Sequence, residues 1–338
     1  MFAFLRRAAL CALVSGLTFQ ASASVSTPGQ FAEQQIRHIA TLFPGRMSGS
    51  PAELMAADYL QQQFSSFGYQ SNTRQFNTGY EWLDERGQKH PRKVTATSVI
   101  AARAGEVPQE ILVIAHLDTW TPASSKDIDN NLGGLRLQGV DDNASGLGVM
   151  LELAEKLSHS PLHYGIRFVA LSAAQNNLHG VDDYLQRMSP VEKKNTLLVI
   201  DLNSLITGDS LYFNSGQHTP VAVRKQTSER AVRLAHRLNI PAASRVLTSS
   251  DFAGHNAFDQ AGFPLLDVTA SNWKLGQHNG MQQRSRSRHF PEGETRHQTD
   301  LDNLQYIDRW LPGRIALRSR ESVNILLPLL QELANPQR

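Results

Sequence analysis

Apolar residues recur at helical spacing in Phe31, Ile36, Ile39 and Phe43, and Pro44-Gly45 stops that helix. Ser50-Pro51-Ala52-Glu53 then has the form of a capping box with proline at the first helical position. The helix it opens is expected to bury Leu54, Ala57, Leu60, Phe64 and Phe67 and to end at Gly68. Alternation over 69–76 and a second run over 94–102 predict two strands, with an exposed loop (EWLDERGQKHPRK) between them.

Ile111 to Ala115 are five apolar residues in a row, which fits a strand buried on both faces. Residues 120–140 are rich in Ser, Asp, Asn and Gly and show no periodicity; a loop that long inside a compact domain is more often functional than idle. Beyond it the pattern predicts helices over 143–157, 180–188, 221–238, 255–262 and 315–333. Strands are predicted over 166–171, 197–202, 211–213 and 263–268. Strands alternating with helices imply an α/β fold: a three-layer sandwich, its mixed, mostly parallel sheet covered by helices on both faces.

The first 23 residues stand apart. Arg6 and Arg7 precede an apolar run from Ala8 to Phe19, and Ala21-Ser22-Ala23 supplies an A-x-A site. This order describes a secretory signal cut after Ala23, leaving one domain over 24–338. The apolar run is too short to span a bilayer, so export through the inner membrane to the periplasm is expected, with no membrane association after cleavage. Cleavage removes two of the 33 basic residues and leaves 31 against 31 acidic ones. The pI of about 8.7 is therefore partly a property of the leader, and no general attraction to nucleic acid follows. Cys11, the only cysteine, leaves as well, so any metal must be held by His, Asp or Glu.

In a fold of this class, ligands collect at the carboxyl ends of the strands. His116 follows one strand, Gln175 lies just past another, and Asn203 ends a third. Asp141 opens a helix, and His297 lies in a late polar loop. Each has an ordinary explanation alone, since a loop histidine is usually solvated and an aspartate before a helix is usually a cap.

Their order carries more. HLDT, GVDDNASG, a strand-end turn, a strand-end Asp/Asn and a late histidine resemble the co-catalytic di-zinc aminopeptidases. RHIATLFPGRMSGSPAE, LGGLRLQGVDDNASGLGVMLELAEKL, EKKNTLLVIDLNSL and LYFNSG extend the likeness over essentially the whole mature chain. The resemblance implies two zinc ions side by side. His116, a bridging Asp141 and a strand-end aspartate would hold one; Asp141, a glutamate and His297 would hold the other. Asp118 would support the site, a second glutamate would be the general base, and the substrates would be peptide or protein N-termini.

Three positions depart from that pattern. Ala174 occupies the general-base position, Gln175 a ligand position, and Asn203 the strand-end aspartate, with Asp201 and Asn203 exchanged. Glu152, Glu155 and Glu192 fall in helices or loops, and His179, Asp182 and Asp183 on a helix surface. Two zinc ions bring four positive charges, and neutral amides offset none of them, so one zinc or none is expected. His116, Asp141 and His297 would serve a single ion, with Asp201 on the same strand face as Asn203. Hydrolysis is then expected to be impaired or lost. Two alternatives stand beside this: an active metallo-aminopeptidase that recruits Asp201 or Asp251, and a non-enzymatic peptide-binding or scaffold module.

Overall fold

The computed structural model describes residues 27–121, 123–126, 134–175, 178–251, 256–280 and 300–336. The expected leader, His255 and His297 lie outside the described residues. Among the described residues no helix is long and apolar enough to cross a membrane.

The chain opens with α1 (Gln30–Leu42) and α2 (Pro51–Ser66). Ser50 caps α2 by accepting the Glu53 N–H at 3.1 Å, and Glu53 reaches back to the Gly49 N–H at 2.8 Å. Ala57, Leu60 and Phe64 form the buried stripe of α2. Leu54, expected in that stripe, sits about a hundred degrees off it and is 44% exposed.

Strands β1 (Gln70–Leu83) and β2 (Lys89–Arg103) form one long hairpin. The stretch expected as a loop is thus mostly strand, and its far end carries Trp82 stacked on His90 at 4.9 Å. That arm has no buried face, so no apolar alternation marks it in the sequence. After β3 (Val107–His116) come a short π-type turn (Val140–Ala144), α3 (Ser145–Leu157), β4 (Tyr164–Leu171), α4 (His179–Arg187), α5 (Pro190–Asn195) and β5 (Thr196–Leu202). The rest is β6 (Ser210–Ser215), α6 (Val221–Gln226), α7 (Ser228–Arg237), β7 (Ala242–Ala243), α8 (Ala257–Gln260), β8 (Leu265–Ser271), α9 (Leu304–Trp310) and α10 (Arg314–Ala334). The single helix expected over 221–238 is broken at Thr227, whose backbone leaves the helical region.

The eight strands form one sheet in the order β1-β2-β4-β3-β5-β8-β6-β7. Its centre is parallel, β4-β3-β5-β8, with antiparallel pairing on both sides. One face packs on α1, α2, α3, α7, α9 and α10 through a single large core. The other face, with Leu112, Ile114, Val169, Leu171, Val199 and Leu265, packs on α4 and α8. Side chains alternate along a strand, so His116 and Asp201 fall on this second face, at the carboxyl ends of β3 and β5.

Candidate functional site

The parallel centre of the sheet delivers its strand ends to one place. His116 is the last residue of β3 and is 8% exposed. Its Nδ1 donates to the backbone oxygen of Asp118 at 2.9 Å, and its Nε2 faces Asp142 Oδ1 at 2.8 Å. Burial pulls the imidazole pKa down, but the charges of Asp142 and Asp118 outweigh it and push the value up to about 10.

Asp141, the expected bridging aspartate, is turned away from His116. Its Oδ1 accepts the Ile206 N–H at 2.7 Å and its other oxygen accepts the Thr207 hydroxyl. The carboxylate that faces His116 belongs to Asp142, and the reason lies in the backbone. Asp142 (φ −112°, ψ 84°) and Asn143 (φ −142°, ψ 38°) leave helical geometry, so the two adjacent aspartates diverge. Asn143 then caps α3, accepting the Gly146 N–H at 3.0 Å while donating to Leu202 O at 2.8 Å.

The loop after β4 meets Asp142 from the other side. Gln175 Nε2 donates to Asp142 Oδ2 at 3.0 Å. The backbone N–H groups of Ala174 and Gln175 are both held by the Asp118 carboxylate, at 3.1 and 2.9 Å. Further back, Ser172 donates its hydroxyl to Glu53 and its N–H is bound by Ser98 Oγ at 3.0 Å. Gly180 pins the end of the loop, because a Cβ there would stand 1.6 Å from the Ser172 oxygen. The register of Ala174 and Gln175 is therefore fixed from both directions.

Asn203 lies just past β5, and its Oδ1 accepts the Ser204 hydroxyl at 2.9 Å. That hydroxyl also approaches Asp142 Oδ1 at 3.4 Å, which ties Asn203 to the same carboxylate. Asp201 accepts the Asn256 amide at 2.8 Å. Burial and the charge of Asp267, its neighbour across β5 and β8, push Asp201 up to about 7 against the pull of His116. Asp251 is occupied locally, accepting the Thr248 N–H at 2.7 Å. Glu152 accepts the N–H groups of Gly29 and Ala32 at 2.8 and 2.7 Å, and Glu192 closes the capping box of α5. His179 bonds Thr78 Oγ1 on the surface.

Two further supports carry no motif of their own. Asp302 accepts the N–H groups of both Asp141 and Asp142, at 2.7 and 3.0 Å. Burial, followed by the charge of Asp141, pushes the Asp302 carboxyl well above the usual range. Arg46 is fully buried and donates to the backbone oxygens of Phe43, Leu117, Gln138 and Gly139 at 2.9 to 3.3 Å. Burial lowers its pKa to about 10, so it stays charged at neutral pH and sets a cation behind Asp118, Asp142 and Asp302.

The donors present decide what a metal would meet here. His116 Nε2 and Asp142 Oδ1 converge while the other ring nitrogen is anchored on a carbonyl, as metal-binding histidines usually are. That pair suits one divalent ion that takes nitrogen and oxygen donors. On the other side of Asp142, Gln175 presents its amide at 3.0 Å and Ala174 carries no ligand atom. Among the described residues, no three His, Cys, Asp or Glu side chains form a metal-holding group.

The family model described as peptidase family M28 matches residues 98–323. The alkaline phosphatase isozyme conversion protein of Escherichia coli (strain K12) is 50% identical over 342 aligned positions, covering 99% of each chain. Among solved structures, BSAP, a zinc aminopeptidase from Bacillus subtilis, superposes with a TM-score of 0.66 at 14% identity over 92% of this chain and 96% of its own. The aminopeptidase from Aneurinibacillus sp. strain AM-1 gives 0.65 at 15% identity, over 92% and 95%.

Proposed function

The chain belongs to peptidase family M28, and we propose that it is an exported, periplasmic member that recognises peptide N-termini while its hydrolytic step is impaired. One observation carries the reading: Gln175 donates an amide N–H to Asp142 at 3.0 Å, and its neighbour at the general-base position is Ala174. The backbone of both is clamped by Asp118, so sliding the loop brings no carboxylate forward. Loss of a general base typically costs about a hundred- to ten-thousand-fold in rate.

At most one zinc would be held, by His116 and Asp142 with His297 as a further ligand; Gln175 and Asn203 would add only neutral oxygens. When bound, it supplies Lewis acidity toward a peptide carbonyl. This chain's own part is to orient the His116 imidazole through the Asp118 carbonyl and to hold Asp142 through Asp302. A second reading, an active peptidase with Asp201 as substitute carboxylate, draws on the place of Asp201 on the same sheet face as His116. Its side chain, however, is engaged by Asn256.

Turnover of aminoacyl amides with added zinc separates the two. The wild type is compared with Ala174→Glu/Gln175→Glu/Asn203→Asp. Hydrolysis gained only in the triple variant supports impairment. Clear wild-type turnover that a chelator abolishes would sink it in favour of the second reading.

A further inference from the structure

At the other end of the sheet, where the strands begin, a cleft of about 620 Å³ opens between the sheet, α6, α7 and the end of α10. Ile111 lies in its wall, five residues before His116 on β3, so the two places are about 16 Å apart along the strand. The lining combines apolar and basic side chains. Ile111 and Leu198 are buried, Val223 and Leu333 partly so, and Leu197 keeps 37% of its surface exposed.

The rim carries Lys225, Arg230 and Arg233 against one carboxylate, Glu332. Arg230 forks onto Glu332 with its Nε at 2.7 Å, which cancels one positive charge. Arg233 donates to the Lys225 backbone oxygen at 2.9 Å, and its nearest acid, Glu229, stands 3.7 Å away. Lys225 has no acidic partner among the described residues. The field is positive enough that Glu332 is held below the usual carboxylate range, first by Arg230 and further by Arg237 and Arg233.

We propose that this cleft binds a small amphipathic carboxylate, with the anionic head between Lys225 and Arg233 and an unbranched hydrocarbon body over Leu197, Val223 and Leu333. Clefts of this volume are of the size that takes a single small molecule. Once Arg230 has paired with Glu332 and Arg233 with Glu229, one positive charge of the rim is left over, and a monoanion matches it. A free molecule fits better than a membrane surface, because the cleft is bordered by the charged side chains Lys225, Arg230, Arg233 and Glu332 rather than by an apolar belt. Each methylene taken out of water is worth about fourfold in affinity at full burial, and less in an open cleft.

Calorimetric titration of the full chain with dodecanoate, below its micelle concentration, tests this. The expected result is saturable one-to-one binding, weaker with decanoate and absent with dodecyltrimethylammonium. Lys225→Glu/Arg233→Glu, which reverses the rim, and Leu197→Asp, which spoils the floor at an exposed position, should each weaken binding at least tenfold. Their melting temperatures should remain at the wild-type value, which keeps a folding defect apart from a lost site. The proposal is overturned if the cationic amphiphile binds as well, if both variants bind as wild type does, or if no saturable binding occurs. It is equally overturned if the protein binds phosphatidylglycerol vesicles and not free dodecanoate.

Discussion

Asp118 and Gln175 are 57 residues apart, and the carboxylate of the first accepts the backbone N–H of the second at 2.9 Å. The same carboxylate takes the Ala174 N–H at 3.1 Å, and both bonds are charge-assisted. The loop that follows β4 is thus set by an acid that follows β3.

Asp118→Asn keeps the shape but leaves one acceptor oxygen and turns an NH₂ toward the second N–H. The cost is expected to be about 2–3 kcal/mol, read as a lower urea midpoint with an unchanged slope. An unshifted midpoint would show that the clamp contributes nothing.

Gly180→Ala places a methyl group 1.6 Å from the Ser172 oxygen, and backbone cannot yield as a flexible side chain can. A loss of about 3 kcal/mol or more is expected, together with chemical-shift changes at Ser172 to Gln175. A variant as stable as wild type would mean that the loop is free to move, and the fixed register of Ala174 would fall with it.

Burial is the main reason that the Glu53 carboxyl is pushed up to about 7, against bonds from Ser172, Gly49 and Thr97 that favour its charge. The folded chain therefore holds this proton more tightly than the unfolded chain does. The resulting stability is fully present below about pH 4.5 and is lost as pH rises through about 7, a change on the order of 3 kcal/mol. Denaturant titrations of wild type and Glu53→Gln should run together below about pH 4.5 and diverge as pH rises toward 7, the wild type losing stability that the variant keeps. Parallel curves would refute the assignment.

Zinc binding distinguishes the adjacent aspartates. Chelator-treated protein dialysed against zinc should take up no more than one ion per chain. Asp142→Asn should abolish that uptake, whereas Asp141→Asn should retain it and lose stability through Ile206 and Thr207. Two ions per chain, or the reverse pattern of the two variants, would contradict the site as described.

Much of this arrangement is legible in the residues. Five apolar positions before His116 mark a buried strand, and Ser50-Pro51 marks a helix start, because both signals are local. Asp141 and Asp142 are a different matter. Two identical neighbours carry no sequence signal for which one turns inward, and only the local departure from helical geometry decides it. Arg46 and Asp302 escape notice for a related reason: their partners are main-chain atoms, which every residue type supplies equally. The family resemblance locates the site, whereas its supports emerge only in three dimensions.

Asp302→Ala tests the less visible of these. Two buried N–H groups would lose their acceptor, at a cost of about 2–4 kcal/mol. Amide exchange at Asp141 and Asp142 should accelerate well beyond that at the middle of α3. Uniform acceleration across the chain would point to general loosening instead.

The position of Arg46 bears on how the protein can be dissected. The match to the family begins at residue 98, yet this guanidinium, 52 positions upstream, joins the loop after Leu117 to the turn at Gln138 and Gly139. A fragment cut at the recognisable boundary would also strip Glu152 of the two amides it caps. The smallest autonomous folding unit is consequently expected to be larger than its sequence signature, and expression trials should begin no later than the turn that precedes α1.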